Sequence, residues 1–235
     1  GNQGIKADSF VPVTMVITAL IYGAAALVTF SLLKERAAPN PLALQQSGFK
    51  ASLLQLHATY KQARRYQDFM WLLLCAVFYQ GGVAVAITLA AIYAEQVIGF
   101  AQQETMVLIF VLNLAAAAGA FGCGYLQDRV GHKLALGLTL VGWAATCVIA
   151  ALTTSKGGFW YAAALAGLCM GSSQSAGRAM AGMLSPPKQA GEFFGLLTFA
   201  TRLASIVGPL TYGAITWATG GNQRIAIAST AVLFV

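Results

Sequence analysis

Arginine and amide side chains set inside apolar runs are the residues of this chain with chemistry to offer. Gln80, Asn113, Gln174, Arg178 and Arg202 each stand within a long hydrophobic stretch, where a polar group is costly unless it finds a partner, a watery cavity or a ligand. Arginine does not shed its proton in proteins, so Arg178 and Arg202 are two permanent positive charges. No Asp or Glu lies inside any of these stretches. Either carboxylates from beyond this chain or an anionic solute must answer them, and a phosphate or carboxylate would suit Arg202 through a bidentate contact. For Gln80 an interhelical hydrogen bond competes evenly with a substrate role. For Asn113 the interhelical bond is the better reading, whereas the Ser-rich surroundings of Gln174 favour a cavity-lining role. Arg178, six residues from the end of its stretch, reads as a structural or gating ion pair. This is the chemistry of binding, not of bond-breaking. No cluster of His, Cys, Asp and Glu shares a stretch, so no enzyme, no cofactor and no metal site are expected. Cys75, Cys123, Cys147 and Cys169 are widely and irregularly spaced inside apolar runs, which suits small packing residues. His57 and His132 lie outside the runs and read as solvated.

The elements that must hold these residues follow from composition. Of the 235 residues, 58% are hydrophobic and 9% charged, against roughly 25% charged in a soluble domain. Mean hydropathy is +0.70. There is too little polar surface for a soluble enzyme and far too much apolar content for disorder. Apolar stretches of about 20 residues run over Phe10–Leu33, Phe69–Ala94, Thr105–Leu126, Leu134–Leu152, Phe159–Leu184 and Phe193–Ala218, with a shorter one from Ile225 to Val235. The fold class expected is an all-α polytopic bundle in a lipid bilayer. At about 1.5 Å per helical residue, Gln80, Asn113, Gln174 and Arg202 all fall roughly 12–17 Å from a membrane face, near the midplane of a 30 Å core. Gly167, Gly171 and Ser175 form a ridge of small residues suited to close helix packing.

Lys and Arg outnumber Asp and Glu by 14 to 7. The excess lies in short connections, where it signals the cytoplasmic side of a membrane rather than nucleic-acid binding. Placing the 34–68 connection in the cytoplasm puts nine basic residues on that side and three on the other, with residue 1 outside. Within this connection Ala37-Ala38-Pro39-Asn40-Pro41 is a breaker-rich linker. Beyond it Phe49, Leu53, Leu56, Tyr60 and Ala63 recur at helical steps, while Lys50, Lys61, Arg64 and Arg65 fall mostly elsewhere on the wheel. A basic amphipathic helix at headgroup level is expected there.

Between the third and fourth stretches stands Gly124-Tyr125-Leu126-Gln127-Asp128-Arg129-Val130-Gly131-His132-Lys133. Gly131 permits a tight turn, Gly124 would admit a neighbouring helix, Asp128 can face a helix N-terminus, and Arg129 and Lys133 hold the cytoplasmic side. This segment resembles the loop signature of the major facilitator superfamily, with His132 in place of a usual basic residue. Arg65-Tyr66, Phe78-Tyr79-Gln80-Gly81-Gly82-Val83, Gly171-Ser172-Ser173-Gln174-Ser175-Ala176-Gly177-Arg178, Glu192-Phe193-Phe194-Gly195 and Arg202 with Ile206-Val207-Gly208-Pro209 extend the likeness. Together they resemble the second half of the branch that includes autophagy-linked vacuolar amino-acid effluxers and their bacterial relatives. Where that family carries Tyr-Asn-Asp-Gly, this chain has Tyr79-Gln80-Gly81-Gly82, without the acidic residue.

The resemblance implies helices six to twelve of a twelve-helix transporter. Residues 1–36 would hold the sixth helix, 37–68 the cytoplasmic linker and 69–235 a C-terminal six-helix bundle with its last helix cut short. The chain is thus expected to be an internal piece whose partner is the missing N-terminal half. The function expected is secondary transport of a small polar or anionic metabolite, an amino acid among them, across a bacterial inner membrane by alternating access. Tyr79, Gln80, Asn113, Gln174 and Arg202 are its substrate or coupling candidates. Gly124, Asp128, Arg129, Gly131, Lys133 and Arg178 are the loop and gating candidates. The alternative is a transport-inactive membrane binding or assembly protein that keeps the fold.

Overall fold

Apolar runs of this length can satisfy their backbone within a bilayer only as helices or closed barrels, and in the computed structural model they are helices. The structure describes residues 7–34 and 49–235; the breaker-rich linker at 37–41 lies outside the described residues. The chain divides into two units, 1–51 and 52–235. In the first, helix α1 (Ala7–Leu32) is apolar all round, and every described side chain on it is exposed. A surface of that kind belongs in lipid or against another membrane helix.

The second unit begins within α2 (Phe49–Ala63) and continues through α3 (Gln67–Tyr93), α4 (Gln102–Val130), α5 (His132–Leu152), α6 (Lys156–Leu184), α7 (Ala190–Ala218) and α8 (Gln223–Thr230). A π-helical turn, Ala94–Ile98, ends α3, and a 3₁₀ turn, Ala231–Phe234, follows α8. Most helices begin a few residues before the apolar stretch that announced them, because their first turns are polar. Glu104 accepts from the Ala101 backbone N–H at 2.8 Å, Ser155 from Gly158, and Asn222 from Arg224 and Ile225, so side chains cap the helices that start at one end of the bundle. At the other end Gly131, at φ +85°, makes the turn between α4 and α5 that a residue with a Cβ would resist.

Among the described residues five helices, α1, α3, α4, α5 and α7, are long and apolar enough to cross a membrane. Helix α6 is 29 residues long, but its Gly- and Ser-rich middle dilutes its apolar character. Packing explains the difference. A Cβ placed on Gly167 would collide with the Leu112 carbonyl, on Gly171 with the Ala116 carbonyl, and on Gly119 with the Leu168 carbonyl. Helices α4 and α6 therefore touch backbone to backbone, as the small-residue ridge implied for Gly167 and Gly171. Helices α3 and α7 meet in the same way, where a Cβ on Gly208 would strike the Gly81 carbonyl. Trp143, fully buried on α5, donates its indole N–H to Ser173 Oγ at 3.4 Å and stacks on Phe234 with ring centroids 5.3 Å apart.

Two readings of the sequence are corrected. Among the described residues of α2, Thr59 and Ala63 are buried and Leu56 partly so, whereas Tyr60, expected on the same stripe, is exposed. Thr59 Oγ1 donates to Glu192 Oε2 at 3.1 Å and Gln62 Nε2 to Gln189 Oε1 at 2.9 Å, so this part of α2 is fastened to the start of α7. Hydrophobic periodicity found Leu56 and Ala63 but took Tyr60 in place of Thr59, because Thr59 is polar and is buried through a hydrogen bond. Gly124 admits no neighbour in this unit: nothing lies within 4 Å of where its Cβ would stand.

Candidate functional site

Three helices carry polar side chains to one place. Helix α7 presents Thr198, Thr201, Arg202 and Ser205 at steps of three and four, a stripe along one face. Their hydroxyls donate to backbone carbonyls of their own helix, Thr198 to Phe194, Thr201 to Thr198 and Ser205 to Arg202, at 2.7–2.8 Å. Each oxygen keeps an acceptor site for a solute. Helix α3 contributes Tyr79 and Gln80, and helix α6 contributes Gln174, Gly177 and Arg178. Together they line a cavity of about 550 Å³, within the range of roughly 300–1,000 Å³ typical of small-molecule sites.

Gln80 and Gln174 bridge α3 and α6 by a reciprocal amide pair. Gln80 Nε2 donates to Gln174 Oε1 at 3.4 Å, and Gln174 Nε2 to Gln80 Oε1 at 3.1 Å. Each amide retains one N–H and spare lone pairs, so the pair is at once an interhelical tie and part of the wall. Tyr79 is 2% exposed, and its hydroxyl packs where a Cβ on Gly177 would stand. It is a wall rather than a floor. Arg178 and Arg202 are exposed along the cavity. Among the described residues neither forms an ion pair, and the one salt bridge there joins Lys156 to Glu104 at 2.5 Å, at the opposite end of the bundle.

Four of the five substrate or coupling candidates thus line one cavity, and Asn113 does not. It is exposed on α4, donates to the Ile109 carbonyl of its own helix at 2.8 Å, and borders a separate apolar cavity of about 240 Å³. Counting depth along the helix could not tell the face of Asn113, and its bond is intrahelical rather than interhelical. Arg178, expected in a structural or gating ion pair, lines the cavity wall and forms no ion pair among the described residues. Sequence reasoning passed over Thr198, Thr201 and Ser205, although their spacing around Arg202 carried the signal. Gly81, where the resemblance would place an acid, faces Ala204 and Gly208 of α7, with nearest atoms 3.6–3.8 Å from its would-be Cβ.

At the α4–α5 turn Asp128, Arg129 and Lys133 are exposed. His132 is only partly exposed: its Nδ1 lies 2.6 Å from Gln127 Oε1, and buried Gln127 also donates to Cys123 Sγ at 3.1 Å. A solvated His132 is therefore incorrect, since it closes the turn with Gln127. Among the described residues no three His, Cys, Asp or Glu side chains gather as metal ligands would.

Residues 2–235 match the family described as vacuole effluxer Atg22 like. The chain belongs to that family. It is 31% identical over 184 residues to an uncharacterized MFS-type transporter, YxiO, of Bacillus subtilis (strain 168), a match covering 78% of this chain and 42% of that protein. The fold of this Atg22-like chain also resembles the crystal structure of the E. coli fucose:proton symporter FucP, with a TM-score of 0.66 at 19% identity, over 94% of this chain and 51% of that one. The architecture is thus of the major-facilitator type, and the chain is a multi-pass membrane protein of a transporter family. It spans about half the length or less of both relatives.

Proposed function

We propose that this chain is the C-terminal half of a secondary active transporter that moves a small polar or anionic metabolite, an amino acid among the candidates, by rocking of two halves about a midplane site. The observation that carries the reading is the polar cavity. In an otherwise apolar bundle Gln80, Gln174, Arg178 and Arg202 converge with three hydroxyls on one side, and polar groups at that depth are kept for solute paths. Residues 69–235 form the C-terminal six-helix bundle, 37–68 the linker and 1–36 the sixth helix. The missing N-terminal half closes the cavity. The end of the bundle that holds the 63–67, 130–132 and 184–190 connections is cytoplasmic, because Lys61, Arg64, Arg65, Arg129, Lys133 and Lys188 cluster there. That places residue 1 outside, in a bacterial inner membrane. Asp128, Arg129 and Lys133 act at the cytoplasmic turn as a gate. No catalysis is involved.

A transport-inactive binding or assembly protein is the second reading, and Gly81 in place of an acidic residue favours it. Uptake of a labelled panel of sugars, amino acids, organic acids and phosphates by the full-length protein in proteoliposomes separates the two. Saturable uptake of a panel member supports transport. Saturable binding in detergent with no flux would overturn transport in favour of the second reading.

A further inference from the structure

The apolar cavity of about 240 Å³ lies inside the bundle, and every helix from α3 to α8 contributes to its wall. Alanines on α3 and α6, Ala86 and Ala163 among them, leave the space, and the rings of Tyr93, Trp143, Phe159 and Tyr212 line it. The donors of four polar side chains on this wall are already engaged. Tyr93 gives its hydroxyl proton to the Ala150 carbonyl at 2.9 Å, Thr146 to Gly142 at 2.9 Å and Thr230 to Ala226 at 3.0 Å, while the Trp143 indole N–H goes to Ser173. A buried water needs about two to four polar partners, and this wall does not supply them. Apolar cavities of about 150 Å³ stay dry and take up benzene; this one has room for a larger ring system.

Three of the lining residues are exposed, Ile87 on α3 with Ile109 and Asn113 on α4, and they mark the mouth. Ile87 also lines the polar cavity, so the two cavities adjoin there. Asn113 spends one amide N–H on the Ile109 carbonyl and keeps the other, together with its own carbonyl oxygen. These features define a ligand. Its body is flat and apolar, because aromatic rings pack favourably against one another. It carries no charge, since an ion would lose its water here with nothing to pair it. It has one hydrogen-bonding atom, for the amide at the mouth. We propose that this cavity binds a small uncharged aromatic molecule of that kind, of the size of a phenol or an indole, with its ring inside and its polar atom on Asn113. The site is separate from the polar cavity and does not depend on the transport reading of that cavity.

The test uses the full-length protein in detergent at about pH 7, with Trp143 as its only tryptophan and 4-bromophenol as a heavy-atom quencher of the indole fluorescence. Quenching should saturate, and unbrominated phenol should reverse it. The charged 4-bromobenzoate should quench about tenfold more weakly at equal concentration. Asn113→Leu, which removes the amide, should raise the half-saturating concentration about two- to tenfold, the worth of one hydrogen bond. Ala163→Phe, which fills the cavity from α6, should abolish the saturable part. Should that variant fail to fold, Ala90→Leu fills the cavity from α3 with a smaller side chain. Quenching that only rises in proportion to concentration, as partition into the micelle would give, would overturn the site. Saturable quenching unchanged in a folded cavity-filling variant would overturn it as well. Equal quenching by 4-bromobenzoate would overturn the requirement for an uncharged ligand, and an unchanged half-saturation in Asn113→Leu would overturn the part given to Asn113.

Discussion

Replacing Gly171 by alanine should destabilise the protein, whereas the same change at Gly137 should stabilise it. Both glycines lie inside helices, where Gly→Ala gains about 0.5–1 kcal/mol of backbone entropy if the methyl group has room. At Gly137, on α5, nothing lies within 4 Å of the added Cβ. At Gly171 the Cβ would collide with the Ala116 carbonyl, which must retreat by more than about 1 Å to restore contact. Two tightly packed helices make that movement difficult, and overpacking of this kind costs about 1–3 kcal/mol. The net loss is then about 1–2 kcal/mol. At about 2–4 °C per kcal/mol for a chain of this size, Tm should fall by roughly 2–8 °C for Gly171→Ala and rise by about 1–4 °C for Gly137→Ala. A thiol-reactive fluorophore suits the assay, because Cys123, Cys147 and Cys169 are buried and become reactive only on unfolding. Gly171 lies one turn before Gln174 and two before Arg178, so its contact also sets where those side chains stand. Equal shifts for the two variants would refute the packing argument.

Two further outcomes are expected. Gln80→Leu and Gln174→Leu should each cost about 1–3 kcal/mol, since each strands the partner amide, but the double variant should cost less than the sum by about 0.5–1.5 kcal/mol; strict additivity in the unfolding cycle would show that the amide pair does not form. Asp128→Ala, at an exposed position, should leave expression intact and shift the balance of inward- and outward-facing states by about 1–3 kcal/mol, read as a changed ratio of cysteine labelling from the two sides; an unchanged ratio would leave the turn with a purely structural role.

The helices were legible in the sequence because their signal is additive. Twenty apolar residues in a row leave the backbone no alternative in lipid, and each predicted stretch begins or ends within a few residues of a helix. The glycine ridge on α6 was legible too, since Gly167 and Gly171 share a face by spacing alone. What that face touches was not. The carbonyls of Leu112 and Ala116 belong to another helix, and the contact between Gly81 and Gly208 joins residues 127 positions apart. The site divided along the same line. Depth along a helix is simple counting, and it placed Gln80, Gln174 and Arg202 at a common level. Direction around the helix depends on neighbours, so Asn113, counted to the same depth, lies elsewhere. Side-chain bonds such as Gln127 to His132 span a turn whose geometry no periodicity reports.

The cavity walled by α3, α6 and α7 is proposed as the place where solute binds and crosses. Arg202 tests it most directly, because it is exposed on the cavity wall and holds no partner among the described residues. Its removal should therefore leave the fold intact. In proteoliposomes containing the full-length protein, Arg202→Ala should abolish flux of the transported solute with Tm unchanged, and Arg202→Lys should lose most of it, because a point charge does not replace the planar fork. Flux at the level of the unmodified protein in Arg202→Ala would show that solute does not cross through this cavity.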